Sequence, residues 1–241
     1  MEILELINKG SRQLKNKNIC SYQLDSEILL SNVLKKTREE LLINLSQKIE
    51  PRKITNFNRL IERRSLKEPI AYILKKKEFW SKKFFVNNET LIPRPETELM
   101  VEKIIDIYKK KDINILDIGT GSGCILLSLL GELKKSRGTG VDISQKAIEI
   151  AIYNSKKLKL LNKDKFYRKN FDEIFNIRFD LIVSNPPYIR KKDIKNLQDD
   201  VKLFEPKIAL DGGNDGLDVI KKVIYKARSI LKVNGMLALE I

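Results

Sequence analysis

The stretch from Ile113 to Leu133 limits what this chain can fold into more than any other. Ile113 to Leu116 reads as a short buried strand, and Cys124 to Leu133 has helical length with no breaker before Gly131. Between them lies Asp117-Ile118-Gly119-Thr120-Gly121-Ser122-Gly123. Strand, glycine turn and helix in that order begin an α/β unit. Gly119, Gly121 and Gly123 allow positive φ and let a ligand come close to the backbone.

The spacing is not the G-x-G-x-x-G of dinucleotide sites, and no Lys-Ser/Thr pair follows the glycines to make a phosphate-cradling loop. A second short apolar run, Gly138 to Val141, ends at Asp142. An acid there, about twenty residues past the glycine turn, is placed for the ribose hydroxyls of a nucleoside. Asp117 makes the loop poor for a triphosphate and suited to a ligand carrying positive charge. The ligand these features imply is S-adenosylmethionine.

A third apolar run, Phe179 to Ser184, ends in Asn185-Pro186-Pro187-Tyr188. A planar nitrogen with two N–H donors needs two acceptors held in its plane, and the Asn185 side-chain carbonyl and the Pro186 main-chain carbonyl can supply them. Each proline fixes its own φ and biases the preceding residue toward extended backbone. Tyr188 offers an aromatic wall. An Asn-Pro sequence is also an ordinary strand-ending turn.

The order Asp-x-Gly-x-Gly-x-Gly, strand-end Asp142, then Asn-Pro-Pro-Tyr resembles the class I methyltransferase fold. On both sides of that core, Leu91-Ile92-Pro93-Arg94-Pro95-Glu96-Thr97-Glu98, Phe204-Glu205-Pro206 and Ala209-Leu210-Asp211-Gly212-Gly213-Asn214-Asp215-Gly216-Leu217 resemble the HemK/PrmC family. Members of that family methylate the glutamine in the Gly-Gly-Gln motif of peptide chain release factors. The resemblance spans nearly the whole chain. It implies a Rossmann-like, doubly wound α/β methyltransferase sheet preceded by a small all-helical domain. It also implies Asn185 and Pro186 as catalytic residues, with Asn185, Pro186, Pro187 and Tyr188 binding substrate. Asp117, Gly119, Thr120, Gly121, Ser122, Gly123, Asp142, Asn170, Phe171 and Asn185 are the expected S-adenosylmethionine contacts. Asn170 is expected to make a polar contact to the adenine and Phe171 to pack on it, although an ordinary core Phe is as good a reading.

The chain of 241 residues contains no histidine, which removes the commonest general base, triad partner and zinc ligand. No metal site is expected. Cys20 and Cys124, far apart, read as reduced thiols, and Cys124 as packing beside the glycine loop. No segment has the length of a membrane span, and Met1 to Arg12 lacks the apolar core of a signal peptide, so a cytoplasmic enzyme is expected. Net charge is +15, from 47 Lys plus Arg against 32 Asp plus Glu. Such a surplus allows a nucleic-acid partner. It also follows from an Ile-, Asn- and Lys-rich composition with no such partner, and nucleic acid is not favoured.

Residues 1–78 read as short packed helices, with a capping box at Thr37-Arg38-Glu39-Glu40 and a helix from Pro51 to about Arg64. By resemblance this is a substrate-recruiting domain. Residues 79–95 read as a hairpin linker, with Phe79-Trp80 and Phe84-Phe85-Val86 flanking Ser81-Lys82-Lys83, then a stiff Pro-rich segment in which Arg94 and Glu96 suggest a loop ion pair. Residues 96–241 read as the methyltransferase domain, beginning with a helix to Tyr108. Three departures from the family pattern stand out. Lys75 replaces a glycine, which would alter a turn. Phe204 replaces a tyrosine. The chain stops at Met236 to Ile241, read as the fifth strand, where family members continue with two more, so a shortened sheet with an apolar edge is expected. Two other function classes fit the residues: a nucleic-acid adenine or guanine amino methyltransferase, which would use the same grip, and a shortened non-catalytic binding protein.

Overall fold

The computed structural model describes residues 1–241. It divides into two compact units, Met1–Lys75 with Gln198–Phe204, and Lys76–Leu197 with Glu205–Ile241.

The first unit is helical: α1 (Ile3–Lys15), α2 (Tyr22–Leu34), α3 (Arg38–Ile43), α4 (Pro51–Ser65) and α5 (Ile70–Leu74). Local sequence sets the helix starts. The Thr37 hydroxyl accepts from the Glu40 N–H at 3.2 Å while the Glu40 carboxylate accepts from the Thr37 N–H at 2.8 Å, the reciprocal cap that satisfies two orphan donors. Pro51 opens α4, where its missing N–H costs nothing. Ile3, Leu6, Leu14, Leu29, Leu30, Leu41, Phe57 and Ile61 form the core. Arg64 and Asp25 pair inside this unit at 2.7 Å, with side chains only 10% and 7% exposed. Lys75 ends α5 in the left-handed region, at φ 53°. The lysine thus sits in the left-handed conformation that favours glycine, at a cost of roughly 1–2 kcal/mol.

The second unit opens with β1 (Lys77–Phe79) and β2 (Lys82–Phe84), an antiparallel hairpin. Its two turn residues, Trp80 and Ser81, have φ of 50° and 53°. That backbone matches the right-handed twist of paired strands. The expected aromatics Phe79 and Phe84 are buried, ring centroids 6.1 Å apart. There follow α6 (Thr97–Tyr108), β3 (Asn114–Ile118), α7 (Cys124–Glu132), β4 (Arg137–Asp142), α8 (Gln145–Leu158), β5 (Asp164–Arg168) and β6 (Phe179–Ser184). A short helix of the first unit, α9 (Asp199–Phe204), intervenes before α10 (Asp218–Ile230) and β7 (Leu231–Leu239).

The five core strands lie in the order β5-β4-β3-β6-β7, and every pairing is parallel. Strand residues alternate between faces, so Ile115, Leu181 and Val183 join one core with α6 and α7, and Leu116, Ile118 and Ile182 join another with α10. Burial on both faces explains the nearly continuous apolar runs read in the sequence. β7 begins at Leu231, ahead of the expected Met236, because α10 passes straight into it with no loop. A register shift between Phe179 and Leu181 absorbs the irregularity. The chain leaves β3 toward β4 and β5, then returns to β6 on the other side. The carboxyl ends of β3 and β6 therefore flank the switch point where open α/β sheets bind ligands.

Candidate active site

Ser144 caps α8, its hydroxyl accepting from the Ala147 N–H at 3.2 Å. This cap starts a helix immediately after Asp142 and helps fix the second wall of the crevice. The Asp142 carboxylate accepts from the Gly121 N–H at 3.0 Å and from the Ser144 N–H at 2.9 Å. It therefore braces the glycine turn, and a carboxylate with about four lone-pair sites keeps capacity for ribose hydroxyls. Burial raises the Asp142 pKa, against the lowering effect of those N–H bonds.

The glycine turn is open on its ligand side. Gly119 has φ +71° and a Cβ built there would meet nothing within 4 Å; at Gly121, φ +54°, only the Gly119 carbonyl at 3.9 Å. The third glycine differs. A Cβ on Gly123 would lie 3.0 Å from Leu127 and 3.3 Å from Ala151, so this glycine serves close packing of α7 and α8.

Gly119, Gly121 and Asp142 border a cavity of about 570 Å³. That is within the size range of small-molecule sites. Gly119, Thr120, Gly121, Ser122, Asp142, Asn170, Phe171, Asn185, Pro186 and Pro187 line it, so the structure brings the glycine turn and the Asn-Pro-Pro loop to one space. Three expected contacts are absent from that lining: Asp117, Gly123 and Tyr188. Asp117 is wholly buried beneath the turn, where one carboxylate oxygen accepts from the Thr120 hydroxyl at 2.7 Å. Burial lifts its carboxyl to about 7. Its part is to hold Thr120 and the turn from below. Tyr188 is 43% exposed, and the tyrosine wall expected from sequence is not part of this cavity. Burial raises the Tyr188 pKa; the charges of Glu240 and Glu96 add to the rise and that of Arg94 opposes it.

Asn170 does double duty. Its side-chain carbonyl accepts from the Asp172 N–H at 3.1 Å, starting a 3-10 turn that carries Phe171, while both residues face the cavity. Cys124 also lines the cavity and packs on the core as expected; burial pushes its thiol up to about 12, so it stays protonated. Cys20 is exposed, and both thiols are free.

What fixes the Asn-Pro-Pro-Tyr loop is the Ala209 to Leu217 segment. Ile189 N–H donates to Leu210 O at 3.1 Å, Gly212 N–H to Ile189 O at 2.9 Å and Lys191 N–H to Gly213 O at 2.9 Å. Gly212 packs so tightly that an added Cβ would lie 2.8 Å from both the Pro187 carbonyl oxygen and the Tyr188 Cα. No pattern in the sequence shows this, because it depends on two segments meeting.

Arg94 corrects another expectation. Its guanidinium pairs with Glu205 at 2.6 Å, so the anticipated loop pair with Glu96 gives way to a buried partner brought from 111 residues away. Sequence reasoning also passed over Glu240, at the end of β7. Its N–H donates to Ser184 O at 3.1 Å and its Oε2 is buried with no hydrogen-bond partner, placing a carboxylate beside the strand end that carries Asn185.

Comparison with known proteins bears on both units. A family model described as the PrmC N-terminal domain matches residues 5–74, and one described as the methyltransferase small domain matches residues 95–202. A protein of Buchnera aphidicola subsp. Schizaphis graminum named release factor glutamine methyltransferase is 46% identical over 240 residues, covering 100% of this chain and 86% of that protein. The chain belongs to the release factor glutamine methyltransferase family. A second Buchnera aphidicola relative of that name, from subsp. Baizongia pistaciae, is 42% identical over 242 residues, covering 100% of this chain and 86% of that protein. A bifunctional methyltransferase of Rickettsia conorii is 36% identical, with 99% of this chain on 51% of that protein. Among solved structures, the hMettl16 catalytic domain in complex with MAT2A 3'UTR hairpin 6 superposes with a TM-score of 0.54 at 18% identity, covering 72% of this chain and 65% of that one. At that identity the match speaks to the fold, which is the class I methyltransferase sheet. No helix is long and apolar enough to cross a membrane.

Proposed function

We propose that this member of the family moves a methyl group from S-adenosylmethionine to the side-chain amide nitrogen of the glutamine in the Gly-Gly-Gln motif of peptide chain release factors. One observation carries the reading: the glycine turn after β3 and Asn185-Pro186-Pro187 after β6 line the same cavity. The names of the Buchnera relatives, matched along their sequences, support the substrate class.

The cofactor fits the residues present, since Gly119 and Gly121 leave a cradle that any Cβ would begin to fill. Gly119 to Ser122 would hold its amino-acid end, Asp142 its ribose, and Asn170 with Phe171 its adenine. When bound, it supplies a methyl group on a positively charged sulfur, already activated for displacement.

The protein's own task is to align and activate a poor nucleophile. An amide lone pair is delocalised into its carbonyl. Two hydrogen bonds from the amide N–H groups to Asn185 Oδ1 and Pro186 O return electron density to nitrogen and fix its direction. The proline pair makes the acceptors rigid before the substrate arrives, which reduces the entropy lost on docking. No histidine is available as a base; these acceptors activate the nitrogen, and after the carbon–sulfur bond breaks as the nitrogen–carbon bond forms, the cationic methylated nitrogen loses its surplus proton to water.

Met1–Lys75, which includes the segment matched by the PrmC N-terminal domain model, is the substrate-recruiting unit in this reading. The test is radiolabelled methyl transfer into a purified release factor, its Gln→Ala variant, a ribosomal protein and DNA, side by side. Label in the intact release factor alone is the expected result. Label on DNA alone would overturn the proposal in favour of a nucleic-acid amino methyltransferase.

A further inference from the structure

We propose that Arg94 contacts the protein substrate, donating hydrogen bonds to carbonyl oxygens of the segment that carries the glutamine, and that Glu205 is the positioning residue that aims it. The inference rests on the function proposed above and extends it to how the polypeptide around the target is held.

Glu205 has a side chain only 1% exposed. A buried carboxylate is unfavourable unless it is paired and hydrogen-bonded. Here it accepts from the Ile92 N–H at 3.2 Å and from Arg94 Nη2 at 2.6 Å, residues 113 and 111 positions earlier in the chain. Each segment it joins then contributes to the cavity wall, Pro93 and Arg94 on one side of the bond and Pro206 to Ala209 on the other. Glu205 thus fixes two walls at once.

Arg94 is the exposed member of the pair. Its side chain is 33% exposed and it lines the cavity that Asn185, Pro186 and Pro187 also line. A guanidinium has five N–H donors in a fixed fork, and Glu205 is engaged through Nη2. Pairing with a buried carboxylate neutralises the net charge and leaves directional donors. Such a group suits neutral carbonyl oxygens of a peptide better than an anionic ligand, which would also meet the Glu205 charge. A purely structural tie to the Ile92 N–H would need no arginine facing the cavity.

The full-length protein is compared with Arg94→Ala, Arg94→Lys, Glu205→Gln and the double variant Arg94→Ala/Glu205→Gln. The measurements are the release-factor KM and kcat, the release-factor Kd without cofactor, the Kd for S-adenosylhomocysteine by calorimetry, and Tm. Arg94→Ala should raise both the release-factor KM and Kd by roughly tenfold, the loss of a hydrogen bond from a charged donor, with the S-adenosylhomocysteine Kd unchanged within about twofold. Lysine should not restore the loss, because a point charge lacks the fork. Glu205→Gln should reproduce most of the effect, and the double variant should be no worse than Arg94→Ala. A weakened S-adenosylhomocysteine Kd with an unchanged release-factor KM would overturn the proposal, as would variants that lower Tm and move neither binding constant. If Glu205→Gln fails to fold, Arg94→Ala still decides. Wild-type protein that leaves the release factor unlabelled would defeat the underlying function, whereas a labelled release factor with unaffected variants would defeat this inference alone.

Discussion

Gly212→Ala is the substitution whose effect follows most directly from the geometry. The new Cβ would stand 2.7 Å from the Gly216 carbonyl oxygen and 2.8 Å from both the Pro187 carbonyl oxygen and the Tyr188 Cα, where ordinary contact begins at 3.4 Å. All three are main-chain atoms, so no side chain can swing aside. Relief requires about 0.6–0.7 Å of movement by one of the two segments. Overpacking of this kind costs about 1–3 kcal/mol, which for a domain of this size lowers Tm by roughly 2–4 °C per kcal/mol. Kinetics should suffer more than stability. The displaced atoms belong to the loop that presents Asn185 and Pro186, and a misplacement near 1 Å can cost on the order of 100-fold in rate. Single-turnover methyl transfer into a release factor should slow by about 10- to 100-fold, while S-adenosylhomocysteine affinity stays within about threefold, because the glycine turn is braced separately by Asp142. A core variant with a matched loss of Tm outside the cavity, such as Ile104→Ala, should keep its rate. Wild-type turnover in Gly212→Ala would refute the claim that this close approach positions the loop.

Asp117 predicts a pH signature. Its folded-state pKa is raised by burial to about 7 from 3.8, so between those values the unfolded chain gives up the proton while the folded chain keeps it. Stability contributed by the protonated form is complete below about pH 4 and is lost as pH rises toward 7, with a slope approaching roughly 1.4 kcal/mol per pH unit. Denaturant titrations of wild type and Asp117→Asn across that window should diverge, and parallel curves would contradict the assignment. In the helical unit, Arg64→Met removes one partner of a buried pair, and stranding the Asp25 charge should cost about 3–5 kcal/mol. Replacing both partners with apolar residues should recover much of the loss, as measured by chemical denaturation.

Much of the fold was legible because its signals are local. The Thr37 capping box, Pro51 at a helix start, the Ser144 cap and the buried strands of the parallel sheet each follow from residues within a few positions of one another. The glycine turn and the Asn-Pro-Pro loop were legible for the same reason, and the parallel topology then brings them together. What the sequence could not give depends on residues meeting across more than twenty positions in the chain. Arg94 looked like a partner for Glu96, two residues away, until the fold supplied Glu205. Asp117 and Gly123 were read as cofactor contacts, yet a Cβ on Gly123 would meet Leu127 and Ala151, and Asp117 is buried beneath the loop. Tyr188 follows two prolines that line the cavity but is itself absent from that lining, and the next residue, Ile189, bridges to Asp211. At Lys75 a left-handed turn is carried by a residue other than the glycine that would favour it.

In the proposed mechanism Asn185 Oδ1 and Pro186 O accept from the two N–H groups of the target amide. The direct measurement is single-turnover transfer of labelled methyl into a purified release factor at saturating cofactor, comparing wild type with Asn185→Ala. Loss of one preorganised hydrogen-bonding group at the reacting atom predicts a fall of roughly 100- to 1,000-fold in rate. Near-normal transfer by Asn185→Ala would contradict the two-acceptor mechanism.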